Sequence, residues 1–382
     1  MRQIFFYFIL IIYPGITFCQ ETRIFDIDPI NTPTKKLIEN FSVEKIIRLE
    51  TTRENLISYV NYLEVSKNKI YIANRSGCFV FSKEGNFLRK VYNKGRGPGE
   101  LQLPMGLTIL GTTGKFSVYD NRSRFIAEYS DSFEMEKRIY PGLYFVSDLY
   151  WINNGKYLLY SYLPQPDSGK DNLYNYCIYE FDPDTKKARG VLKMPNNYKS
   201  LNIEYHTTFS RFKLRYYVRL PLNNNVFEYN GSGLMSPSYI VDFGKYNTPE
   251  ELLNGELRDV RMLMGRIQEG KFCVLVDFQE LEGHYIVIYD KYPNRYTTVI
   301  SKGNGSQVRH SFRNEDDVLG RVTPFFEHDG YMIASLQPSS FLKKYKMIDK
   351  SALSNYEKQI YAEIAEGLSE SDNPVLLFLK PR

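Results

Sequence analysis

The sequence predicts an all-β fold, a six-bladed β-propeller with two inserted helices. Residues 69–92 repeat in residues 115–140, with Asn74 matching Asn121 at an offset of 47 residues (121 − 74 = 47). A repeat of this length, built from short aromatic and β-branched runs broken by Gly, Asn and Asp, is typical of a propeller blade. Aromatic residues make up 15% of the chain and are mostly Tyr and Phe, which suit a pleated, half-buried surface.

The amino terminus has the order of a secretory signal peptide. Arg2 precedes an apolar run over residues 4–13, which is too short to span a bilayer and is followed by a Pro-Gly pair. We expect cleavage after Cys19, so that residues 1–19 are the signal peptide. The alternative is a lipid anchor on Cys19, which Phe18 disfavours because lipoprotein processing requires a small residue before the cysteine. The mature protein is then exported to the periplasm or the cell exterior, with no transmembrane span.

A polar, Pro-containing lead segment over residues 20–40 precedes the predicted propeller, which spans residues 41–382. The strand-like segment "KIIRLE" (residues 45–50) lies near the start of the propeller, and "PVLLFLK" (residues 374–380) lies at its end. A ring of sheets that stayed open would expose unpaired strand edges, which proteins avoid. We therefore predict that these two segments pair in one blade and close the ring.

The remaining strands follow a regular blade rhythm. Turns such as "KEGN", "NNGK" and "EHDGY" contain Gly and Asn, which adopt positive φ in hairpins at low cost. The count is six blades, with five as the alternative. The strand-forming segments are residues 59–92, 106–140, 146–194, 215–244 and 271–301, with a sixth from residue 324 through "FLKKYKMI" to residue 348.

Two segments have helical periodicity instead. In the first, Thr248 is a predicted N-cap and Pro249 the first helical residue, and the apolar residues at helical spacing are Leu253, Leu257, Val260 and Met264. The second lies in residues 349–374 and ends at Gly367. Its apolar face consists of Leu353, Tyr356, Ile360 and Ile364.

The segment "NKGRGPGELQLPMGLTI" followed by "GKFSVYDNRSRFIAEYS" resembles an NHL-type repeat, in which a Gly-rich loop leads into a blade. Together with "IIRLETTRENLI", "VDFGKYNTPEEL" and "ESDNPVLLFLK", it makes the whole mature chain similar to the secreted six-bladed β-propeller proteins of Bacteroidetes. This resemblance implies the fold. It implies no activity, because that family has no general activity or catalytic set.

Charge and cysteine usage restrict the function classes. The formal net charge is +5, but the charges are interspersed, so we expect a mixed solvated surface and no nucleic-acid partner. After signal cleavage three cysteines remain, each in an apolar or aromatic run. We expect buried free thiols, with one disulfide as the alternative, at Cys78, Cys177 and Cys273.

The loop "GRGPGE" is one candidate for ligand chemistry. Consecutive backbone amides in a Gly-rich loop can bind a phosphate. No Gly-Lys-Ser/Thr follows, and the next element has strand periodicity, so neither a P-loop nor a dinucleotide fingerprint is satisfied. We expect Gly95, Gly97, Pro98 and Gly99 to turn the chain from blade one into blade two.

Titratable side chains give no catalytic pattern. No pair has zinc spacing among the four histidines, His206, His284, His310 and His328. A calcium site assembled from distant blades stays open as an alternative. We expect Glu315, Asp316 and Asp317 to lie in a solvated loop. Arg75 and Arg122 belong to repeated Asn-Arg-Ser triplets, which either project towards an anionic ligand or, as we expect, satisfy hairpin backbone groups.

The sequence therefore names no catalytic, cofactor-binding or metal-ligating residue, and we expect no cofactor. The expected function is an exported, non-catalytic β-propeller that presents its loops and a polar central channel to a small ligand, a glycan or a partner protein. The alternative is a carbohydrate-active or lactone hydrolase or lyase with its site in the channel. Clustered acids at the channel mouth would favour the enzyme, and a lining of Tyr, Asn and Ser would favour binding.

Overall fold

Six sheets of four or five strands form a ring. The computed structural model describes residues 22–66, 68–97, 99–166, 173–196, 208–231, 233–253, 259–313, 317–322 and 324–382. The first strands of neighbouring sheets contact one another, so each sheet points outwards from the centre like a blade. The predicted six-bladed β-propeller is confirmed. The predicted signal peptide lies outside the described residues.

The amino-terminal elements attach to distant blades. They are β1 (Arg23–Asp26), β2 (Thr34–Lys35), α1 (Leu37–Asn40) and β3 (Phe41–Arg48). β1 and β2 run parallel to the outermost strands of two sheets, Ser236–Asp242 and Gln307–Ser311, and give each sheet a fifth strand. The guanidinium of Arg309 holds this segment in place, because it donates to Thr34 Oγ1 at 2.6 Å and to the Pro29 carbonyl at 2.5 Å. The polar lead segment therefore supplies strands to the sheets.

Blades one to three each contain four antiparallel strands. Blade one consists of β4 (Tyr62–Ser66), β5 (Lys69–Asn74), β6 (Gly77–Ser82) and β7 (Phe87–Asn93). Blade two consists of β8 (Pro104–Ile109), β9 (Phe116–Asp120), β10 (Phe125–Tyr129) and β11 (Met135–Ile139). Blade three consists of β12 (Val146–Ile152), β13 (Lys156–Ser161), β14 (Tyr176–Asp182) and β15 (Lys187–Lys193).

Helices accompany blades four and six. Blade four consists of β16 (Phe209–Phe212), β17 (Arg215–Arg219), β18 (Asn225–Tyr229) and β19 (Ser236–Asp242), followed by α2 (Glu250–Leu253) and α3 (Val260–Gln268). Blade five consists of β20 (Val274–Glu280), β21 (His284–Lys291), β22 (Asn294–Ser301) and β23 (Gln307–Ser311). The last elements are β24 (Pro324–His328), β25 (Tyr331–Leu336), α4 (Pro338–Met347), α5 (Asn355–Ala365) and β26 (Val375–Pro381).

The two ends of the propeller meet in blade six, as predicted. β26 pairs antiparallel with β3, and Leu376 lies opposite Ile47 in the register. β3 is the outermost strand of the blade and comes from the start of the propeller, whereas the three inner strands come from its end. The ring is therefore closed by backbone hydrogen bonds between segments more than 300 residues apart in sequence.

The helices differ from the prediction in two places. "FLKKYKMI" was expected to continue the strands of blade six, but it belongs to α4, whose Pro338 occupies the first turn. Phe341 and Leu342 are buried on one side of this helix, while the neighbouring Lys343 is exposed. Two adjacent apolar residues followed by lysines are compatible with a strand or with a helix. Packing against the blade decides which of these forms.

The described part of the first predicted helix contains two helices, α2 and α3. Asp259 caps α3 by accepting a hydrogen bond from the Arg261 amide at 2.7 Å. The buried leucines are Leu252 and Leu263, one position away from the predicted Leu253 and Met264, which are exposed. Leu252 and Leu263 are buried because they belong to one apolar cluster with Phe272. The predicted N-cap Thr248 donates its hydroxyl to the Cys273 carbonyl. Leu257 lies outside the described residues.

The second predicted helix is confirmed as α5, although the predicted face residue Leu353 lies before the start of this helix. Ser354 and Glu357 form a capping box, in which each side chain accepts from the backbone amide of the other residue. Ile360 and Ile364 are buried on the predicted apolar face. The helix therefore covers blade six with the face that its periodicity indicated.

The hydrophobic core lies between blades. Each interface between neighbouring blades contains its own cluster of buried apolar side chains. Between blades one and two, for example, the rings of Tyr71 and Phe116 pack with centroids 5.1 Å apart. Because both faces of a blade are covered, strands such as β9 and β20 are buried at every residue. The three predicted free thiols, Cys78, Cys177 and Cys273, are confirmed as free and buried.

Candidate functional site

The first strands of the blades line a narrow central channel. Its inner part has a volume of about 80 Å³ and contains polar side chains from several blades. Glu64 comes from β4, Asp148 and Tyr150 from β12, Arg211 from β16 and Glu327 from β24. Residues distant in sequence meet here because every blade directs one edge strand at the ring axis.

The channel widens into a mouth of about 800 Å³. Glu64, Tyr150, Arg211 and Glu327 line both parts, so the two cavities are continuous. The rim is made by the hairpins that join the first and second strands of the blades. Its residues include Thr112, Asn153, Lys213, Glu282 and Asp329. We call this cavity the channel mouth.

Glu64 and Glu327 are acids whose protons are held more tightly than usual. Burial in the channel wall raises the pKa of Glu64 to about 8, although Arg211 acts in the opposite direction. Burial also raises the pKa of Glu327, again against Arg211, and Glu327 Oε1 accepts a hydrogen bond of 2.9 Å from the Gly330 amide. A neutral Glu64 at pH 7 can donate a hydrogen bond to a ligand in the channel.

Arg211 is a cation that lines both the inner part of the channel and the channel mouth. Its side chain is exposed to the cavity, and among the described residues no carboxylate forms an ion pair with it. It interacts electrostatically with Glu64 and Glu327 and lowers the pKa of His328, for which burial is the larger cause. The guanidinium therefore keeps donors available for a ligand.

Asp148 serves the wall of the channel. Its carboxylate accepts hydrogen bonds from the amides of Thr208 at 2.8 Å and Leu149 at 2.9 Å. Burial nevertheless raises the pKa of Asp148 to about 7, because desolvation outweighs these bonds. Since both oxygens are used by backbone amides, Asp148 fixes the start of β16 relative to β12.

Aromatic rings form one side of the channel mouth. Trp151 is the single tryptophan of the chain, is half-buried and packs edge-on against Tyr157 with ring centroids 4.8 Å apart. Its amide donates to Thr108 Oγ1 at 2.9 Å, which ties blade three to blade two at the rim. Tyr150 and Phe212 line the same cavity. The mouth thus combines aromatic surface with acids, the Asn153 amide and the Arg211 guanidinium.

In the "GRGPGE" loop, the carboxylate of Glu100 accepts from a backbone amide of the same loop. The Gly97 amide donates to Glu100 Oε2 at 2.7 Å, and a Cβ on Gly95 would lie 1.9 Å from the same oxygen. The Gly95 amide donates to the Leu101 carbonyl at 3.0 Å. The loop therefore links β7 to β8 as expected, and the Glu100 carboxylate already accepts from the Gly97 amide of the loop. Pro98 lies outside the described residues.

The Asn-Arg-Ser triplets lie in hairpins between second and third strands, on the opposite face from the channel mouth. Asn74 Oδ1 accepts from the Ser76 amide at 2.8 Å. In the next blade the equivalent acceptor is Asp120, which binds the Arg122 amide at 3.2 Å, so the structural match is one residue off the sequence match. The side chains of Asn74 and Asp120 satisfy hairpin backbone groups, and the structure does not bring Arg75 or Arg122 to the channel mouth.

The prediction that Asp317 lies in a solvated loop is wrong. Asp317 is fully buried, and its carboxylate accepts from the amides of Leu37 at 2.6 Å and Leu319 at 2.9 Å. It lies 3.5 Å from His310 Nδ1, whose pKa is lowered by burial. Asp317 is thus a structural group that holds α1 against the end of blade five, because buried amides there need an acceptor. Glu315 and Asp316 lie outside the described residues.

The remaining histidines are dispersed. His284 begins β21 and His328 ends β24 at the channel mouth, whereas His206 lies outside the described residues. Within the described ranges, no three His, Cys, Asp or Glu side chains are grouped as metal ligands.

The comparisons identify the family. The family described as a domain of unknown function, DUF4934, matches residues 22–380. The chain belongs to the DUF4934 family. Comparison with curated proteins found no match for this DUF4934 member.

None of its described helices has the length and apolar character needed to cross a membrane.

Two solved structures are similar to this DUF4934 protein. A protein of Bacteroides fragilis described as exported has 16% sequence identity and a TM-score of 0.71, covering 94% of this chain and 99% of its own. A member of the DUF4221 family from Bacteroides vulgatus has 10% identity and a TM-score of 0.55, covering 90% and 98%. At these identities the likeness supports the fold alone. Together with the family match, it confirms the predicted relationship to Bacteroidetes-type propellers.

The channel residues were not predicted from the sequence. Glu64, Arg211 and Glu327 carry no shared motif, since they come from three blades and meet only in the closed ring. A usable signal exists, however. Each is a charged residue in the first strand of its blade, where the neighbouring residues are largely apolar or aromatic. A propeller positions such a residue at its axis.

Proposed function

We propose that this DUF4934 protein is an exported, non-catalytic β-propeller that binds a small polar ligand or a glycan in the channel mouth. The observation that carries the proposal is the cavity of about 800 Å³, which is within the range of about 300–1,000 Å³ for ligand sites. Trp151 and Phe212 offer apolar faces to a sugar ring. Glu64, Asn153 and Arg211 offer the few polar groups that fix a ligand's orientation.

Export is supported by two observations. The apolar run over residues 4–13 follows Arg2 in the order of a signal peptide. The similar protein from Bacteroides fragilis is described as exported. Removal of residues 1–19 would leave the entire DUF4934 match in the mature protein, since that match begins at residue 22.

The single tryptophan allows a direct test. Because Trp151 lines the channel mouth, ligand binding there should change the intrinsic tryptophan fluorescence. A glycan array would select the ligands, and titration of the purified mature protein would give the dissociation constant. Replacing Arg211 with Gln should weaken binding by roughly tenfold or more, because a charged hydrogen-bond donor is lost. Arg122→Gln, on the opposite face, is the matched control and should bind normally.

Trp151→Phe separates the signal from the binding. This variant should lose the fluorescence change while calorimetry still detects the ligand. An array without hits, together with titrations that leave the fluorescence unchanged, would contradict the proposal. So would a ligand that Arg211→Gln and Arg122→Gln bind equally well.

One observation favours an enzyme as the second candidate. Glu64 and Glu327 are two acids with raised pKa values facing one cavity, and a proton held near neutral pH suits a general acid. The candidate reaction is hydrolysis or elimination on a carbohydrate or a lactone. Turnover of such a substrate that disappears in Glu64→Gln while binding persists would favour the enzyme over the binding protein.

A further inference from the structure

A second large cavity lies outside the channel, on the flank of blade six. Its volume is about 1430 Å³, and it runs between the segment after β23 and the helix α4. Single-molecule ligand sites are usually about 300–1,000 Å³, so this groove is large for a compact ligand. We call it the basic groove.

The floor of the basic groove is largely apolar. It includes the buried side chains of Val318, Leu336, Phe341 and Leu353. Met347 stands on its edge with 77% of its surface exposed, although methionine is an apolar residue. Exposed apolar surface next to a groove is characteristic of a site that a partner covers.

The rim of the basic groove is strongly cationic. Within the described ranges, its charged lining residues are five cations and one carboxylate: Lys36, Arg313, Arg321, Lys343, Lys344 and Asp349. The carboxylate is already used, because Asp349 accepts from the Ser351 amide at 2.8 Å and from the Ser351 hydroxyl. Among the described residues, the lining therefore has five cations against the one Asp349 carboxylate and is net positive.

Some of these cations serve the fold and others do not. Lys36 pairs with Glu357 at 2.8 Å, and Lys344 donates to the Asp317 carbonyl at 2.9 Å. Arg321 and Lys343 are exposed, and no carboxylate of the described ranges forms an ion pair with either. These two exposed cations above an apolar floor provide charge and hydrophobic contact in one place.

We propose that the basic groove binds an extended acidic peptide segment of a partner protein, in which carboxylates alternate with apolar side chains. The carboxylates would meet Arg321 and Lys343, and the apolar side chains would cover Met347 and the floor. Arginine recognises carboxylates through paired donors, which favours such a segment over an uncharged one. Gln337 and Ser340 interrupt the apolar lining, which suits a peptide backbone better than a continuous acyl chain. The proposal does not depend on a ligand in the channel mouth.

Fluorescence anisotropy with a short labelled peptide of alternating Glu and Leu tests this site on the mature protein. We expect saturable binding that weakens as salt is added, and no binding of the same peptide with Gln in place of Glu. The double variant Arg321→Glu with Lys343→Glu should weaken binding by about tenfold or more. The matched control is Lys187→Glu with Lys193→Glu, two exposed lysines of β15 on blade three that change the net charge equally.

Each outcome decides for or against the basic groove. Equal weakening in the two double variants would overturn the proposal, since binding would then follow net charge alone. Binding of the Gln peptide at the same affinity would also overturn it. Vesicles with phosphatidylglycerol that displace the peptide from the wild type would assign the groove to a lipid surface instead. If the charge reversal impairs folding, Arg321→Gln with Lys343→Gln replaces it and should still weaken binding several-fold, whereas unchanged binding would refute the site.

Discussion

The guanidinium of Arg219 lies 2.9 Å from a carboxylate oxygen of Asp277, and the two side chains are only 1% and 0% exposed. Arg219 ends β17 of blade four, whereas Asp277 lies in β20, the first strand of blade five. Arg219 also donates to the Val276 carbonyl at 2.6 Å. Burial raises the pKa of Asp277, and the arginine opposes that shift. A fully buried ion pair thus joins blade four to blade five, in addition to the partly exposed pair of Arg215 with Glu280.

Asp277→Ala should destabilise the protein strongly, because it leaves the Arg219 charge buried without its partner. The expected loss in the free energy of unfolding is about 3–5 kcal/mol. Replacing both residues, as Arg219→Met with Asp277→Leu, should cost less than the single change, since no charge remains buried. Urea denaturation of the wild type, Asp277→Ala and the double variant measures their free energies of unfolding. A control is Glu282→Ala, which breaks an exposed pair with Lys213 and should leave the unfolding curve unchanged.

Asn373 connects the two ends of the propeller beside the closing strands. Its side-chain oxygen accepts from the Ile57 amide at 2.8 Å, and its side-chain nitrogen donates to the carbonyls of Glu50 at 2.9 Å and Asn55 at 3.1 Å. Asn373→Ala should therefore lower the free energy of unfolding by about 1–3 kcal/mol, because buried backbone groups lose their partner. Asn304→Ala, in an exposed turn, is the control. Similar melting temperatures for the two variants would refute a role of Asn373 in closure.

The six-bladed ring could be predicted from the sequence, but the strands β1 and β2 and the helix α4 that pack onto it could not. Alternating strand runs and Gly- or Asn-containing turns are local signals, so the six sheets and the β3–β26 pairing could be predicted. β1 and β2 could not, because strands of four and two residues have no measurable period, and Phe25 finds its partner Val241 more than 200 residues away. The helix α4 was not predicted because its adjacent apolar residues Phe341 and Leu342 are compatible with both strand and helix periodicity. Only packing against blade six distinguishes them.

The candidate site was harder to predict for a related reason. Glu64, Arg211 and Glu327 each look like an isolated charge in an apolar strand. What makes them a site is that three blades bring them to one axis, and burial there changes the pKa of both acids. Asp317 shows the opposite error: it follows two acids in a polar stretch, yet the structure uses it as an acceptor for buried amides.

Gly95 and Glu100 should be energetically coupled. A Cβ at residue 95 would occupy the place of the Glu100 carboxylate, which is the flexible end of a side chain and can move away. Gly95→Ala would then break the hydrogen bond to the Gly97 amide, just as Glu100→Ala does, at a cost of about 1 kcal/mol in either case. We expect the double variant to lose little more than either single variant in thermal denaturation. Additive losses would show that the two changes act on separate contacts.

Glu64 should make the stability of the protein depend on pH. The unfolded chain releases this proton near pH 4.5, whereas the folded protein keeps it until about pH 8, so the unfolding free energy contributed by Glu64 falls as the pH rises between these values. Glu64→Gln removes the titration and keeps the shape. It should therefore be more stable than the wild type by on the order of 1–3 kcal/mol at pH 9, with no advantage at pH 4. Urea denaturation across this range measures the difference, with the exposed Glu84→Gln as the control. A difference that stays constant with pH would contradict a protonated Glu64 in the channel.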